Sequence, residues 1–173
     1  STQKIESYKE KILLINKSDI DLSSLYSKYK QVLFYDDSLP YCGRILSCIS
    51  NLNLSHILFI NDTDVVMHKE DSTIELLVKT MKDFDIDRID LQYQHPKWNP
   101  KTKLIPVNDF NLIKQENINR YIFNVNPSIW KLSSFVELLD NFKDQGYREV
   151  EKHTQSFCLR YNIYKLHGKY INM

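Results

Sequence analysis

Short apolar runs recur along the chain and are separated by stretches with helical spacing of apolar residues. Five of these runs predict β-strands, at Lys11–Ile15, Gln31–Tyr35, His56–Ile60, Tyr121–Val125 and Ile163–Leu166. Arg88–Tyr93 alternates apolar and polar residues, as a half-buried strand does. His56–Ile60 is apolar throughout, so we expect it to be a central strand of the sheet.

Helical spacing of apolar residues predicts four helices between these strands. Their predicted starts lie at Pro40, at the capping boxes Ser72/Glu75 and Ser134/Glu137, and near Glu149. From Gln94 to about Arg120 the pattern weakens, which is typical of a functional or mobile loop. Strands that alternate with helices favour an α/β fold with a mainly parallel sheet, here in one domain over residues 1–173.

Composition narrows the classes of function. The 173 residues carry 23 basic and 22 acidic side chains, so the basic excess typical of nucleic-acid binders is missing. No apolar run reaches the length of a transmembrane helix, and the first residues lack a signal-peptide core. We therefore expect a soluble, cytoplasmic protein with no membrane span and no nucleic-acid partner.

Cysteines and potential glycosylation sites agree with that expectation. Cys42, Cys48 and Cys158 are odd in number and lack metal-site spacing, so they predict buried thiols in a reducing compartment. Asn61-Asp62-Thr63 matches the N-glycosylation pattern inside the candidate site described next. A glycan there would block the site, which disfavours a secretory route.

The strongest candidate for chemistry is Asn61-Asp62-Thr63-Asp64, directly after the strand His56–Ile60. In open α/β sheets, ligands bind beyond the carboxyl ends of the strands. Residues two apart in extended backbone point the same way, so the carboxylates of Asp62 and Asp64 can converge on one hard divalent cation. Such a cation can neutralise the diphosphate of a nucleotide. Aspartates also follow strands for structural reasons, so the position after an apolar strand carries more weight than the spacing.

The segment Ile57–Asp64 resembles the strand and DxD motif of GT-A-fold glycosyltransferases. Three other stretches look similar to parts of that family: the acidic turn Tyr35–Ser38, the helical Gly43–Leu46, and the late helix Glu151–Leu159. The likeness extends from about Lys11 to the end and is similar in scale to small viral and bacterial transferases. It implies a single-domain GT-A-like α/β/α sandwich, either abbreviated at the N-terminus or with Lys11–Ile15 as its first strand.

The resemblance implies a metal site and a donor site. The cofactor would be Mn²⁺ or Mg²⁺, held by Asp64 and Asp62 with His167 completing the shell, although His167 also suits an ordinary polar tail. Asp64 is the better direct ligand because it lies farther from the strand end, and Asp62 could instead act through the ribose or a metal-bound water. The donor-binding set is Arg44, Asp36, Asp37, Asp62, Thr63 and Lys169. Among these, Arg44 carries a planar fork that suits a phosphate, although a surface salt bridge is an equal alternative.

The resemblance also implies a catalytic base, Glu151, with Glu149 second. Both residues lie at the predicted start of the last helix, where the helix dipole favours an ionised carboxylate. A base takes the proton from the acceptor hydroxyl and implies inversion at the anomeric carbon. The same position would also suit carboxylates that only stabilise the helix, so that alternative stays open.

Acceptor-binding candidates are Trp98, Asn124 and Asn126. Trp98 lies in a polar, proline-rich loop and could stack on a sugar ring or simply plug the structure. Asn124 and Asn126 end a predicted strand and could contact sugar hydroxyls. Trp130 lies in an apolar setting and is predicted to belong to the core. The expected partners are therefore a nucleotide-sugar donor, with a UDP-sugar favoured, and a glycan or glycoprotein acceptor.

Two alternatives remain. A haloacid-dehalogenase-type phosphatase would use Asp62 as nucleophile and Asp64 as its acid–base partner. That family normally carries its motif on the first strand and an acidic pair late in the chain, whereas here two strands precede the motif. The other alternative is a sugar- or nucleotide-binding module without catalysis. A nucleotidyltransferase is disfavoured because the chain has three glycines and no glycine-rich phosphate loop.

Overall fold

The computed structural model describes residues 11–16, 23, 29–61, 71–94, 104–116 and 122–168. Its strands are β1 (Ile12–Asn16), β2 (Gln31–Tyr35), β3 (His56–Phe59), β4 (Arg88–Gln94), β5 (Leu104–Val107), β6 (Phe110–Lys114), β7 (Ser128–Lys131) and β8 (Ile163–Gly168). Its helices are α1 (Tyr41–Ile49), α2 (Asp71–Asp83), α3 (Leu132–Asn141), α4 (Tyr147–His153) and α5 (Gln155–Cys158). The protein is therefore a mixed α/β protein, as predicted.

The sheets are less parallel than the sequence suggested. β1 and β2 pair in parallel as a two-stranded sheet, and the other strands form a six-stranded sheet in the order β3-β7-β4-β8-β6-β5. Within that sheet, as far as the structure describes it, β4–β8 is the parallel pair and the other four pairs are antiparallel. The prediction of a mainly parallel sheet is wrong, because hydrophobic periodicity marks strands without showing their direction.

Three strands nevertheless run the same way. β3 and β4 are both antiparallel to β7, which lies between them, and β8 is parallel to β4. β3, β4 and β8 therefore end on one side of the sheet, where β7 begins at Ser128. We call this side the carboxyl end of the sheet. It is where an α/β protein most often binds its ligands.

β3 is not a central strand, contrary to the prediction. It stands at one end of the strand order and pairs with β7. Its side chains are apolar because both faces of the strand are covered: Ile57 and Phe59 pack against one hydrophobic cluster and Leu58 against the other. An apolar run thus reports coverage of both faces rather than two strand neighbours.

Helices pack on both faces of the six-stranded sheet. On one face, Phe135 of α3 stacks on Trp130, with ring centroids 4.9 Å apart. On the other, Leu77 and Met81 of α2 join the same cluster as Ile89. Trp130 is 1% exposed, which confirms its predicted place in the core. Cys42, Cys48 and Cys158 are buried free thiols, also as predicted.

Two stretches differ from the predicted strands. Residues 104–114 form the β5–β6 hairpin, inside the stretch predicted as a loop, and Asn108 in its turn has φ 48°. Asparagine tolerates that left-handed backbone better than most residues. The predicted strand Tyr121–Val125 is also wrong: Ile122–Pro127 is irregular, and the strand β7 begins only at Ser128.

Helix starts also differ from the predictions. α2 already includes Asp71, and α3 begins at Leu132, so neither Ser72 nor Ser134 is an N-cap. The last predicted helix begins at Tyr147 and is divided at Thr154. Ser134 has another partner, since its hydroxyl donates to Asp87 Oδ1 at 2.5 Å. A serine three residues before a glutamate is therefore not sufficient to mark a cap.

None of the helices in the described ranges combines the length and the apolar character needed to cross a bilayer.

Candidate active site

Asn61 links three parts of the molecule at the carboxyl end of the sheet. It lies two residues after Phe59, the last residue of β3. The Tyr41 hydroxyl, at the start of α1, donates to Asn61 Oδ1 at 3.1 Å. Asn61 Nδ2 in turn donates to the carbonyl of Val125 at 2.5 Å. The first turn of α1, the end of β3 and the segment before β7 therefore meet at one side chain.

Glu151 meets the same segment from α4. The backbone amide of Val125 donates to Glu151 Oε1 at 3.0 Å, so Asn61 and Glu151 hold the two polar backbone groups of one residue. Because α4 begins at Tyr147, Glu151 lies in the second helical turn and not at the helix start. Its predicted support from the helix dipole is therefore wrong, and its position depends on Val125 instead.

Glu149 differs from Glu151 although both belong to α4. Glu149 lies in the first turn and is exposed. Its Oε2 lies 2.6 Å from the point that a Cβ on Gly146 would occupy, so the carboxylate folds back over the N-terminus of its own helix. That is the arrangement of a carboxylate that stabilises a helix dipole. Among the hydrogen bonds of the described residues, the one that joins α4 glutamates to the segment bonded by Asn61 comes from Glu151.

We refer to residues 122–126 as the 122–126 segment. Gln155 satisfies much of its backbone: Oε1 accepts the amides of Ile122 at 2.6 Å and Phe123 at 3.2 Å, and Nε2 donates to the carbonyl of Phe123 at 2.9 Å. Buried backbone groups must be paired, and here side chains replace the ladder of a strand. This explains why an apolar run is irregular instead of extended.

A buried charged network lies under the 122–126 segment. Arg88, which is fully buried, donates from Nη1 to the carbonyl of Ile122 at 3.0 Å and from Nη2 to the carbonyl and side-chain oxygens of Asn124 at 2.9 and 2.7 Å. Asn124 Nδ2 donates to Asp90 Oδ2 at 2.8 Å, and Lys165 Nζ lies 3.3 Å from that same oxygen. Burial lowers the pKa of Arg88, and the Asp90 carboxylate acts in the opposite direction.

These bonds bear on the predicted acceptor residues. Asn124 is 8% exposed, and both atoms of its amide are engaged, which disfavours the predicted contact with a sugar. Asn126 is more accessible, and its Nδ2 donates to Gln92 Oε1 at 2.6 Å in an exposed pair. Asn126 therefore stays the better acceptor candidate of the two.

β4 is irregular beside this pair. Its register with β8 shifts between Asp90 and Gln94, and the amide of Gln92 donates to Asp90 Oδ1 at 2.9 Å. The amide of Leu91 donates to the carbonyl of Pro127 at 2.9 Å. Bulges of this kind are common beside active sites, where they redirect a side chain. Here Gln92, which lies within the irregular stretch, pairs with Asn126.

Arg44 closes the turn between β2 and α1. Its Nε donates to the carbonyl of Leu39 and its Nη2 to the carbonyl of Asp37, both at 2.6 Å. Asp36 and Asp37 are exposed, and the amide of Ser38 donates to Asp36 Oδ1 at 2.8 Å, which lowers the pKa of Asp36. The donor contacts of Arg44, Asp36 and Asp37 stay predictions, and in the structure Arg44 braces the acidic turn.

His167 lies at the carboxyl end of the sheet, near the end of β8. Its Nδ1 is buried and has no hydrogen-bond partner in the described structure. β7 and β4 separate β8 from β3, so three strand spacings, roughly 14 Å, lie between His167 and the end of β3. A cation shared by His167 and Asp64 therefore requires the chain after Asn61 to extend across those two strands.

Five predicted site residues lie outside the described residues: Asp62, Thr63, Asp64, Trp98 and Lys169. Within the described ranges, no group of three or more His, Cys, Asp or Glu side chains could hold a metal ion. The two carboxylates predicted to bind the cation are among the five, so their ligand roles stay predictions.

Six residues that organise this site had no role predicted from the sequence: Tyr41, Asn61, Arg88, Asp90, Gln92 and Gln155. One signal was present, because Arg88, Asp90 and Gln92 alternate along a predicted strand and so share one face. Charged residues on a strand face that packs against Trp130 would need buried partners. The other contacts join residues that are far apart in the chain and leave no local pattern.

Comparison of the chain with protein-family models and with curated proteins finds no match.

Proposed function

We propose that this protein is a metal-dependent glycosyltransferase that moves a sugar from a nucleoside-diphosphate donor, with a UDP-sugar favoured, to a hydroxyl of a glycan or glycoprotein acceptor. The observation that carries the proposal is the pair of bonds at Val125, with Asn61 on its carbonyl and Glu151 on its amide. They connect the residue before Asp62 with the carboxylate that the resemblance to GT-A-fold enzymes assigns as base.

Val125 limits how far the proposed base lies from the end of β3. Both bonds are made to this one residue, so the Glu151 carboxylate lies within about 10 Å of the Asn61 side chain. In the proposed reaction, Glu151 takes the proton of the acceptor hydroxyl while the hydroxyl oxygen bonds to the anomeric carbon. The bond from that carbon to the diphosphate breaks, and the configuration inverts.

The remaining predicted residues have supporting roles. Asp64 and Asp62 are the oxygen ligands that Mn²⁺ or Mg²⁺ prefers, and the bound cation would neutralise charge on the departing diphosphate. His167 is a weaker candidate for the same shell because of its distance along the sheet. Asn126, paired with Gln92, stands at the carboxyl end where an acceptor hydroxyl can accept or donate a hydrogen bond.

Donor binding provides the direct test. Thermal shift and calorimetry with a panel of UDP- and GDP-sugars, with and without Mn²⁺, should show stabilisation by at least one donor that depends on the metal. Asp64→Asn should remove that dependence. The chain offers a matched control in Asp85→Asn: Asp85 belongs to a second Asp-x-Asp, Asp85-Ile86-Asp87, and lies before β4, at the opposite end of that strand.

Three results would overturn the proposal. Stabilisation that ignores the metal, or that survives Asp64→Asn, would remove the role of the cation. Trapping of an acyl-phosphate on Asp62 with a phosphate ester would favour the phosphatase. Metal-independent donor binding, together with a Glu151→Gln variant that behaves as wild type, would favour a binding module without catalysis.

A further inference from the structure

Arg88 directs its hydrogen bonds to the 122–126 segment. In the described structure the guanidinium donates to Ile122 and Asn124 and lies over the rings of Phe123 and Trp130, at 5.4 and 5.2 Å from their centroids. Its nearest carboxylate, Asp90 Oδ2, is 3.9 Å away, beyond hydrogen-bond distance. The cation is therefore held chiefly by carbonyl oxygens of the segment and by aromatic faces.

Stability alone is a poor explanation for this arrangement. A fully buried cation loses its hydration, and apolar residues of similar volume often replace buried ionic groups with no loss of stability. Arg88 is fully buried, and its Nε has no hydrogen-bond partner in the described part of the chain. What the planar fork provides is geometry, because its two Nη atoms hold carbonyls that are two residues apart.

The held carbonyls lie next to the proposed chemistry. Asn124, with its carbonyl on Arg88, precedes Val125, whose amide meets Glu151 and whose carbonyl meets Asn61. Asp90 adds a second restraint, since it accepts from the Asn124 side chain and from the amide of Gln92 in the β4 bulge. One buried network therefore restrains both backbone segments beside the site.

We propose that Arg88, together with Asp90, which holds the Asn124 side chain, is a positioning residue that keeps the 122–126 segment in register with Glu151 and Asn61, an inference that rests on the proposed function. It acts through Val125 and does not contact a substrate. A small displacement of Val125 would shift the base relative to the reacting carbon. In enzymes, a misplacement of about 1 Å can lower the rate on the order of 100-fold.

Arg88→Lys is the decisive variant, because lysine keeps the positive charge near Asp90 and loses the planar fork. We expect kcat for sugar transfer to fall on the order of 100-fold, while the donor KM changes less than about threefold. Arg160→Lys is the matched control: Arg160 also lies over an aromatic ring, Phe157, at 4.8 Å and pairs with Glu137, but it is exposed, and these contacts are with α5 and α3 instead of the 122–126 segment. The kcat and donor KM of Arg160→Lys should equal those of the wild type.

Amide hydrogen exchange tests positioning without reference to activity. In Arg88→Lys and Arg88→Met, the amides of Val125 and Asn126 should lose protection, while amides in the β5–β6 hairpin keep theirs. If no donor is turned over by the wild-type protein, the proposed function fails and exchange still decides the role of Arg88. If Arg88→Met does not fold, the amide protection of Val125 and Asn126 in Arg88→Lys decides whether Arg88 positions the segment. Unchanged protection at Val125 and Asn126, or kcat within twofold of wild type, would overturn the inference.

Discussion

Two polar networks of similar composition lie beside β4 in different surroundings. Just before β4, Asp87 accepts from the Ser134 hydroxyl at 2.5 Å and from the amide of Asn162 at 2.9 Å, and nearby Lys131 pairs with Asp85 at 3.1 Å; we call this the Asp85–Asp87 network. Within β4, Arg88 and Asp90 lie under the 122–126 segment and form the Arg88–Asp90 network. Each network joins a strand to elements distant in the chain.

The two networks differ in their exposure to solvent. The side chains of Asp85 and Lys131 are 82% and 40% exposed, whereas those of Arg88 and Asp90 are fully buried. An exposed ion pair contributes about 0–1 kcal/mol to stability, while a buried charge is costly unless its partners are fixed. The Asp85–Asp87 network is thus a brace between elements. The Arg88–Asp90 network demands defined geometry, which is what a site requires.

The largest effect is expected at Glu151. Glu151→Gln keeps an oxygen that can accept the Val125 amide but cannot take a proton, so transfer should fall by about 10²–10⁴-fold with the melting temperature nearly unchanged. Glu149→Gln, on the same helix, should leave transfer within twofold. Steady-state kinetics with the donor found by thermal shift would measure both. Equal losses in the two variants would mean that their shared helix matters and not the base.

Alkaline pH tests the burial of two thiols in the hydrophobic cluster that contains Trp130. Burial raises the pKa of the Cys42 and Cys158 thiols from the ordinary 9.0 to about 12. Their contribution to stability is therefore complete below pH about 9 and is lost as pH rises towards about 12, because the unfolded thiols ionise first. We expect the free energy of unfolding to fall by up to about 1.4 kcal/mol per pH unit for each thiol in that range.

Urea unfolding at several pH values and constant ionic strength would measure this fall. The double variant Cys42→Ala, Cys158→Ala is the control, and its slope above pH 9 should be smaller. An equal slope in the wild type and the double variant would show that these thiols do not cause the effect.

The Asp85–Asp87 network should affect stability and leave activity unchanged. In Asp87→Asn, one carboxylate oxygen becomes an NH₂ group, so either the Ser134 hydroxyl or the amide of Asn162 loses its acceptor. We expect a loss of about 1–3 kcal/mol in the free energy of unfolding, with kcat unchanged. Calorimetry and transfer kinetics on the same samples would check this. A loss of kcat at temperatures where the variant is folded would contradict the division between the two networks.

The smallest effect is expected at the hydrogen bond between Tyr41 and Asn61. Tyr41→Phe removes the hydroxyl that donates to Asn61 but keeps the edge-to-face ring contact with Tyr147, whose centroid is 5.2 Å away. We expect a loss of about 0.5–1.5 kcal/mol in stability and a modest fall in transfer. Tyr147→Phe is the matched control. Equal urea midpoints for Tyr41→Phe and the wild type would show that this hydroxyl does not restrain the end of β3.

Particular elements show where sequence reasoning succeeded. The strands β2 and β4 and the start of α1 after Pro40 follow the predictions closely, since each depends on spacing between neighbouring residues. The β5–β6 hairpin was missed because its strands are short and Pro106 weakens the pattern. Of the site, Glu151 was named from the sequence, whereas Arg88 was not, because its partners lie more than thirty residues away.

The amino-acid sequence by itself determined the α/β class, the burial of Trp130 and the three thiols, and the candidate residues Asp62, Asp64 and Glu151. These features depend on local periodicity and on the types of residues that are neighbours in the chain. Only the tertiary structure decided that the sheet is mostly antiparallel, that β3 lies at its edge, and that Arg88 rests under Val125 and its neighbours. Strand direction and buried polar pairing depend on contacts between residues that are distant in the chain. Local spacing of apolar and polar residues does not report such contacts.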